Sequence, residues 1–130
     1  MISTEEAITN STFHFGGVYV WAQVRDVGDE GKHLLIARDE KETTVVTSPE
    51  NVASLDVIET NRDRWLLLSI DCANPFYCVG FIADIAARLG AAGLDILVIS
   101  TFSRDLFFVK EEEGERAAGV LRGMGMAQVT

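Results

Sequence analysis

The chain has 130 residues and is strongly acidic, with 20 Asp and Glu residues against 11 Lys and Arg residues and a formal net charge of -9. This balance argues against nucleic acid and anionic membranes as partners, since both need a surface rich in Lys and Arg. No run reaches the roughly 20 apolar residues of a membrane-spanning helix, and residues 1–12 lack the basic start and apolar core of a signal peptide. We therefore expect a cytoplasmic protein whose residues 1–12 form a flexible tail.

The first half of the chain predicts strands. Patterns typical of strands cover residues 13–24, 33–38 and 43–47. Residues 48–50 (Ser-Pro-Glu) resemble the start of a helix that continues through residue 55. We interpret residues 13–62 as a shortened lobe that lacks one strand-helix element, with a charged connection at residues 61–64.

The second half predicts one β-α-β-β-α-β unit. Apolar runs indicate strands at residues 65–71, 94–102, 106–110 and 126–129. The first helix begins between Asn74 and Gly80, and each of the two helices has an apolar face: Ile82, Ile85, Ala86 and Leu89 in the first, and Ala117, Val120, Leu121 and Met124 in the second. This order is the split βαβ arrangement of ferredoxin-like α+β folds. We expect it to occupy residues 63–130.

Three segments of this unit resemble the ACT domain, a small regulatory module that binds amino acids in many metabolic proteins: residues 74–83, 92–105 and 109–112. The sequence of these segments is more similar still to a two-lobed ACT-like family that includes arginine-sensing proteins and uncharacterised bacterial ACT proteins. The resemblance implies that residues 63–130 are an ACT domain and that residues 13–62 are a shortened ACT-like lobe. It also implies a regulatory role rather than an enzymatic one.

Two segments of the unit carry the groups that a free amino acid requires. Such a ligand has a carboxylate and an ammonium, so its site must offer N–H donors to one and oxygen acceptors to the other. The loop from Cys72 to Gly80 ends at a helix N-terminus, where exposed amides attract a carboxylate and a glycine allows close approach. Asp105, with the hydroxyls of Ser100 and Thr101 nearby, can accept from the ammonium.

The resemblance implies which residues bind the ligand. In the resembled sensors the ligand lies against the matching glycine loop and the matching hairpin, which correspond here to Val79, Gly80, Phe81, Ser100, Thr101, Phe102 and Asp105. In the first lobe, residues 42–45 resemble a Glu-x-Ser-Val segment that faces the ligand in the sensors, so Thr44, which replaces the Ser, and Val45 join the set. Each residue also has a structural explanation, in which Gly80 allows tight packing, Asp105 is a turn carboxylate, Phe102 belongs to the core and residues 44–45 form an edge strand.

The two cysteines, Cys72 and Cys78, do not have the spacing of a redox pair or a zinc knuckle. His14 and His33 lie on separate predicted strands without ligand-like spacing, so we expect no metal and no cofactor. The nearby helix start can lower a thiol pKa, but no base accompanies either cysteine. We interpret both as structural thiols.

The sequence thus predicts a non-enzymatic module that binds a free amino acid or a similar small ligand. We also expect a homodimer, because a β-α-β-β-α-β lobe beside a shortened one leaves a sheet edge unpaired. The alternative is a dimerising interaction domain whose ligand site is vestigial. An enzyme that uses Cys72 or Cys78 is a third hypothesis.

Overall fold

Two units make up residues 2–130, the part of the chain that the computed structural model describes. The first unit joins the described residues up to Gly17 to Leu66–Thr130, and the second is Val18–Trp65. The strands are β1 (Thr12–Asp26), β2 (His33–Arg38), β3 (Thr43–Thr47), β4 (Asp56–Thr60), β5 (Trp65–Asp71), β6 (Leu97–Ser100), β7 (Arg104–Lys110) and β8 (Ala127–Gln128). The α-helices are α1 (Thr4–Asn10), α2 (Phe81–Ala91) and α3 (Gly114–Gly123), and short 3-10 helices cover Glu30–Lys32, Pro49–Ser54 and Glu111–Glu113.

The second half of the chain follows the predicted order, which is confirmed as β5-α2-β6-β7-α3-β8. The strand order is β1-β5-β7-β6, and β8 pairs in parallel with the start of β1 through Thr12 and Phe13. The β6–β7 hairpin is antiparallel, with Ser100 opposite Asp105. This register brings the two residues to the tip of the hairpin as a cross-strand pair.

The expected flexible tail is wrong for residues 4–10, which form α1; Met1 lies outside the described residues. Ser3 caps the helix by accepting a hydrogen bond from the amide of Glu6 at 3.1 Å. Ala7 and Ile8 are buried in the core of the first unit. Burial of these side chains stabilises a helix that is too short to persist alone.

The core of the first unit is built from large side chains. Its fully buried members include Phe13, Phe107, Leu68 and Ile70. The buried face of α2 consists of Phe81, Ile85 and Leu89, whereas Ile82 is 39% exposed. The predicted face was therefore wrong at its first position, because the helix begins at Phe81 and spacing by fours places the larger ring inside.

The second unit is a small antiparallel sheet in which β1 pairs with β3 and β4, and β3 also pairs with β2. The strands expected at residues 33–38 and 43–47 are confirmed. The helix expected from residue 48 is wrong, since Pro49–Ser54 forms a 3-10 helix and β4 follows directly. Ser48 makes no capping hydrogen bond through its side chain, and no α-helix occurs anywhere in residues 18–65. Across residues 2–130, no helix combines the length and apolar character needed to cross a membrane.

Candidate functional site

A cavity of about 160 Å³ lies in the first unit, where the loop of residues 72–80 faces the tip of the β6–β7 hairpin. We call it the hairpin cavity. Its lining consists of Cys72, Asn74, Pro75, Phe76, Cys78, Phe81, Ile82, Ser100, Thr101, Phe102, Ser103, Arg104 and Asp105. The predicted site residues among them are Phe81, Ser100, Thr101, Phe102 and Asp105. The fold therefore brings together the two segments that the sequence singled out.

Asp105 is held by its cross-strand neighbour. Ser100 Oγ donates to Asp105 Oδ1 at 2.6 Å, and the amide of Thr101 donates to the carbonyl of Arg104 at 2.8 Å, which closes the hairpin tip. Within the described residues, no other side-chain donor is seen on the Asp105 carboxylate. The carboxylate therefore keeps acceptor capacity for a ligand.

Two aromatic rings stand at the mouth of the cavity. Phe76 and Phe102 lie with ring centroids 5.1 Å apart in an edge-to-face arrangement, and they are 70% and 84% exposed. The exposure of Phe102 rules out its explanation as a core residue. Phe76 was missed in the sequence, although a large aromatic residue after Pro75, outside any apolar periodicity, was a usable signal.

Phe76 also has an unusual backbone. Its φ of 69° makes it the one non-glycine residue with positive φ in the described chain. Such a conformation costs about 1 to 3 kcal/mol, and residues that hold it cluster at ligand clamps and active sites. The backbone conformation that positions this ring therefore lowers the stability of the fold.

Val79 and Gly80 lie beside the cavity rather than in its lining. The Val79 side chain is 91% exposed. Gly80 caps α2 with φ 85°, and a Cβ placed there would approach Thr4 no closer than 3.6 Å. Glycine is therefore required by the left-handed backbone rather than by tight packing.

Helix α1 holds the loop of residues 72–80 near both ends. Thr4 Oγ1 donates to the carbonyl of Val79, and the amide of Ala73 donates to Ser11 Oγ at 2.9 Å. Ser11 is buried and donates in turn to the carbonyl of Ala7 at 2.6 Å. Residues 1–12 were expected to form a tail, so the sequence predicted neither the helix nor these long-range contacts.

Both cysteines are unpaired and half-buried in the cavity wall. Burial raises the pKa of the Cys72 thiol, and the nearby charge of Asp105 raises it further. A thiol with a raised pKa is a weak nucleophile at neutral pH. No group of three or more His, Cys, Asp or Glu side chains in residues 2–130 is arranged to hold a metal ion.

The two site residues predicted in the second unit have different surroundings. Val45 is fully buried with Ala22, Val24 and Val27, so its side chain is not accessible to a ligand. Thr44 lines a separate, open cavity of about 190 Å³ with Glu42 and Glu59. The edge-strand explanation for residues 44–45 is also wrong, because β3 is paired on both sides.

Comparisons with known proteins agree with this architecture. Residues 61–123 match the family model described as the ACT domain. A Vibrio cholerae protein of unknown function, described as a possible transport protein, has a TM-score of 0.81 at 22% identity over 95% of this chain and 97% of its own. An Agobacterium tumefaciens protein has a TM-score of 0.72 at 20% identity over 92% of both chains. The ligand-free regulatory subunit of aspartate kinase from Thermus thermophilus has a TM-score of 0.54 at 9% identity over 88% of this chain and 91% of its own, and no curated protein matches.

Proposed function

We propose that the chain is a non-enzymatic regulatory module that binds a free amino acid, since residues 61–123 match the ACT-domain family model. ACT domains are regulatory modules, and the likeness to a regulatory subunit of aspartate kinase supports the same class of role. The proposal rests on the hairpin cavity. Its wall at the hairpin tip carries hydrogen-bond acceptors, and the facing wall is the loop of residues 72–80 that leads into α2.

The acceptor wall suits an ammonium group. Asp105 contributes a carboxylate, and Ser100 and Thr101 contribute hydroxyls on the same hairpin tip. A charge-assisted hydrogen bond from an ammonium to a carboxylate is about twice as strong as a neutral one. The cavity, at about 160 Å³, is smaller than the pockets of roughly 300 to 1,000 Å³ that take drug-sized molecules, which favours a small ligand.

A thermal-shift screen of the free amino acids tests this function. Binding to the native state alone adds about 2.7 kcal/mol at a hundredfold excess over the dissociation constant, which raises the melting temperature by several degrees in a domain of this size. Asp105→Ala should abolish the shift. Asp95→Ala is the matched control, because Asp95 is an exposed carboxylate of the same unit that pairs with Lys110 and does not line the cavity.

Two results contradict the proposal. The first is a wild-type protein whose melting temperature responds to no amino acid. The second is an Asp105→Ala variant that keeps the full shift. A circular dichroism spectrum and melting curve without ligand show that the variant is folded, so that loss of response is not loss of structure.

We also propose that the chain forms a homodimer. In the alternative, in which the ligand site is vestigial, dimerisation is the function of the chain. Strand β6 ends the strand order of the first unit, and its apolar residues are only half-buried. An apolar edge strand of this kind is commonly paired or covered. Light scattering should give a dimer at micromolar concentrations.

The edge can be tested directly. Ile99→Lys places a charge on β6 and should shift the equilibrium to monomer, whereas Leu34→Lys places one on β2, in the other unit, as a control. A wild-type monomer at micromolar and higher concentrations contradicts the homodimer. A dimer indifferent to every amino acid favours the vestigial site over ligand sensing.

A further inference from the structure

We propose that the hairpin cavity selects amino acids with an apolar side chain, which packs against the ring pair of Phe76 and Phe102. The inference rests on the proposed function and deepens it by naming the ligand class. Its basis is the juxtaposition of a polar wall at Asp105 with an exposed apolar mouth.

The apolar mouth is unusual for a protein surface. Phe76 and Phe102 are 70% and 84% exposed, and they line the cavity from the two segments that face each other across it. Single exposed apolar residues are common, but a contiguous group at a cavity mouth marks a binding site. An apolar ligand side chain would remove part of this surface from water.

The position of the Phe76 ring is set by the backbone rather than by packing. Its φ of 69° is held inside a loop in which Asn74 Nδ2 donates to the carbonyl of Tyr77 at 3.3 Å. Thr4 Oγ1 secures the carbonyl of Val79 at the end of the same loop. A ring held out to solvent by a strained backbone is preorganised for a contact that the protein alone does not make.

The polar wall offers one carboxylate for the ligand ammonium. Arg104, the residue before Asp105, also lines the cavity. Arg104 Nε lies 3.4 Å from Asp71 Oδ1, and Asp71 does not line the cavity. The ammonium is therefore matched by Asp105. The one cation among the described lining residues, Arg104, is already paired with Asp71, and the two rings carry no charge for a charged ligand side chain to pair with.

Isothermal titration calorimetry of the full chain with leucine, phenylalanine, serine, lysine and glutamate tests the inference. Leucine or phenylalanine should bind at least about tenfold more tightly than serine, lysine and glutamate, since a few methylene groups in an apolar contact give discrimination of this order. Phe102→Ala should weaken the apolar ligand about tenfold and change serine binding by less than about twofold. Tyr77→Ala is the matched control, because Tyr77 is an exposed aromatic neighbour of Phe76 outside the cavity lining, and it should keep affinity within about twofold.

A second variant separates the ring of Phe76 from its backbone. Phe76→Gly removes the ring and suits the positive φ, so it should lower affinity for the apolar ligand without lowering the melting temperature of the free protein. Two results overturn the inference and leave the proposed function intact. One is that a charged amino acid binds most tightly, and the other is that Phe102→Ala leaves the affinity for the apolar ligand unchanged. Binding of no amino acid at all overturns the proposed function instead.

Discussion

The two units bury their sheets in different ways. The first unit packs its sheet with all the α-helices of the described chain and buries large side chains such as Phe13 and Phe107. The second unit, Val18–Trp65, has no α-helix, and its buried apolar side chains are mainly valines, together with Ala22 and Trp65. The fully buried phenylalanines, Phe13, Phe107 and Phe108, all belong to the first unit, which favours a larger hydrophobic stabilisation there.

The same contrast holds for exposed apolar surface and strain. The cluster around Phe76 and Phe102 and the positive φ of Phe76 all belong to the first unit. In the second unit, the large apolar side chains found exposed are Leu34 and Ile58, at 37% and 48%. The unit with the larger core therefore carries the features that cost stability, as expected where a scaffold supports a binding site.

Truncation of each core should break this comparison most clearly. Phe107→Ala should lower the free energy of unfolding by about 3 to 5 kcal/mol, because it removes a fully buried ring from the first unit. Val45→Ala, at an equally buried position of the second unit, should cost about 1 to 3 kcal/mol, since fewer carbon atoms leave. Urea unfolding curves measure both. A larger loss for Val45→Ala would mean that the second unit limits the stability of the chain.

Removal of the contacts from α1 should have an intermediate effect. Ser11→Ala leaves the amide of Ala73 without its buried acceptor and should cost about 1 to 3 kcal/mol, whereas Thr4→Val removes one exposed hydrogen bond and should cost about 1 kcal/mol or less. Both variants should speed amide hydrogen exchange in residues 72–80, because the loop loses an attachment.

Thr9→Val provides the control for this helix. Thr9 Oγ1 donates to the carbonyl of Glu6 within α1 and makes no hydrogen bond to the loop, so its variant should leave exchange in residues 72–80 unchanged. Unchanged exchange in the Ser11 and Thr4 variants as well would show that the loop holds its conformation without α1.

The smallest expected effect concerns Asp39, a turn carboxylate that contrasts with Asp105 in the hairpin cavity. In the second unit, Asp39 accepts hydrogen bonds from the amides of Lys41 and Glu42 at 2.9 Å each, and these bonds lower the pKa of its carboxyl group. Since the folded-state pKa lies below the unfolded one, the stabilisation is present above the unfolded-state pKa and is lost as the pH falls through the folded-state pKa. The side chain is fully exposed, so the effect on stability is small.

An NMR pH titration of Asp39 measures this shift. The midpoint should lie below the ordinary value of an aspartate, and Asp39→Asn should remove the matching part of the acid dependence of stability. A midpoint at or above the ordinary value contradicts the assignment of Asp39 as a carboxylate bound to backbone amides.

The candidate site was predictable where the signal was local. Ser100, Thr101 and Asp105 were found because an apolar run, a polar turn and a second apolar run indicate a hairpin, and the register then pairs Ser100 with Asp105. Val45 entered the set through the resemblance of residues 42–45 to a segment of the sensors, and a resemblance in sequence does not say whether the side chain is exposed; here it is fully buried. Phe76 was missed because its exposure and backbone conformation leave no periodic pattern in a loop.

Local patterns were sufficient to predict the β-α-β-β-α-β order and the strands β2, β3 and β5, because apolar runs and strand alternation follow the backbone period and end at turn residues. Tertiary packing decided whether α1 forms and holds the loop of residues 72–80. The hydrogen bonds responsible join residues 62 and 75 positions apart. It likewise decided that Phe76 and Phe102 meet as a ring pair. Contacts of this kind depend on how distant segments pack, and no local periodicity records that packing.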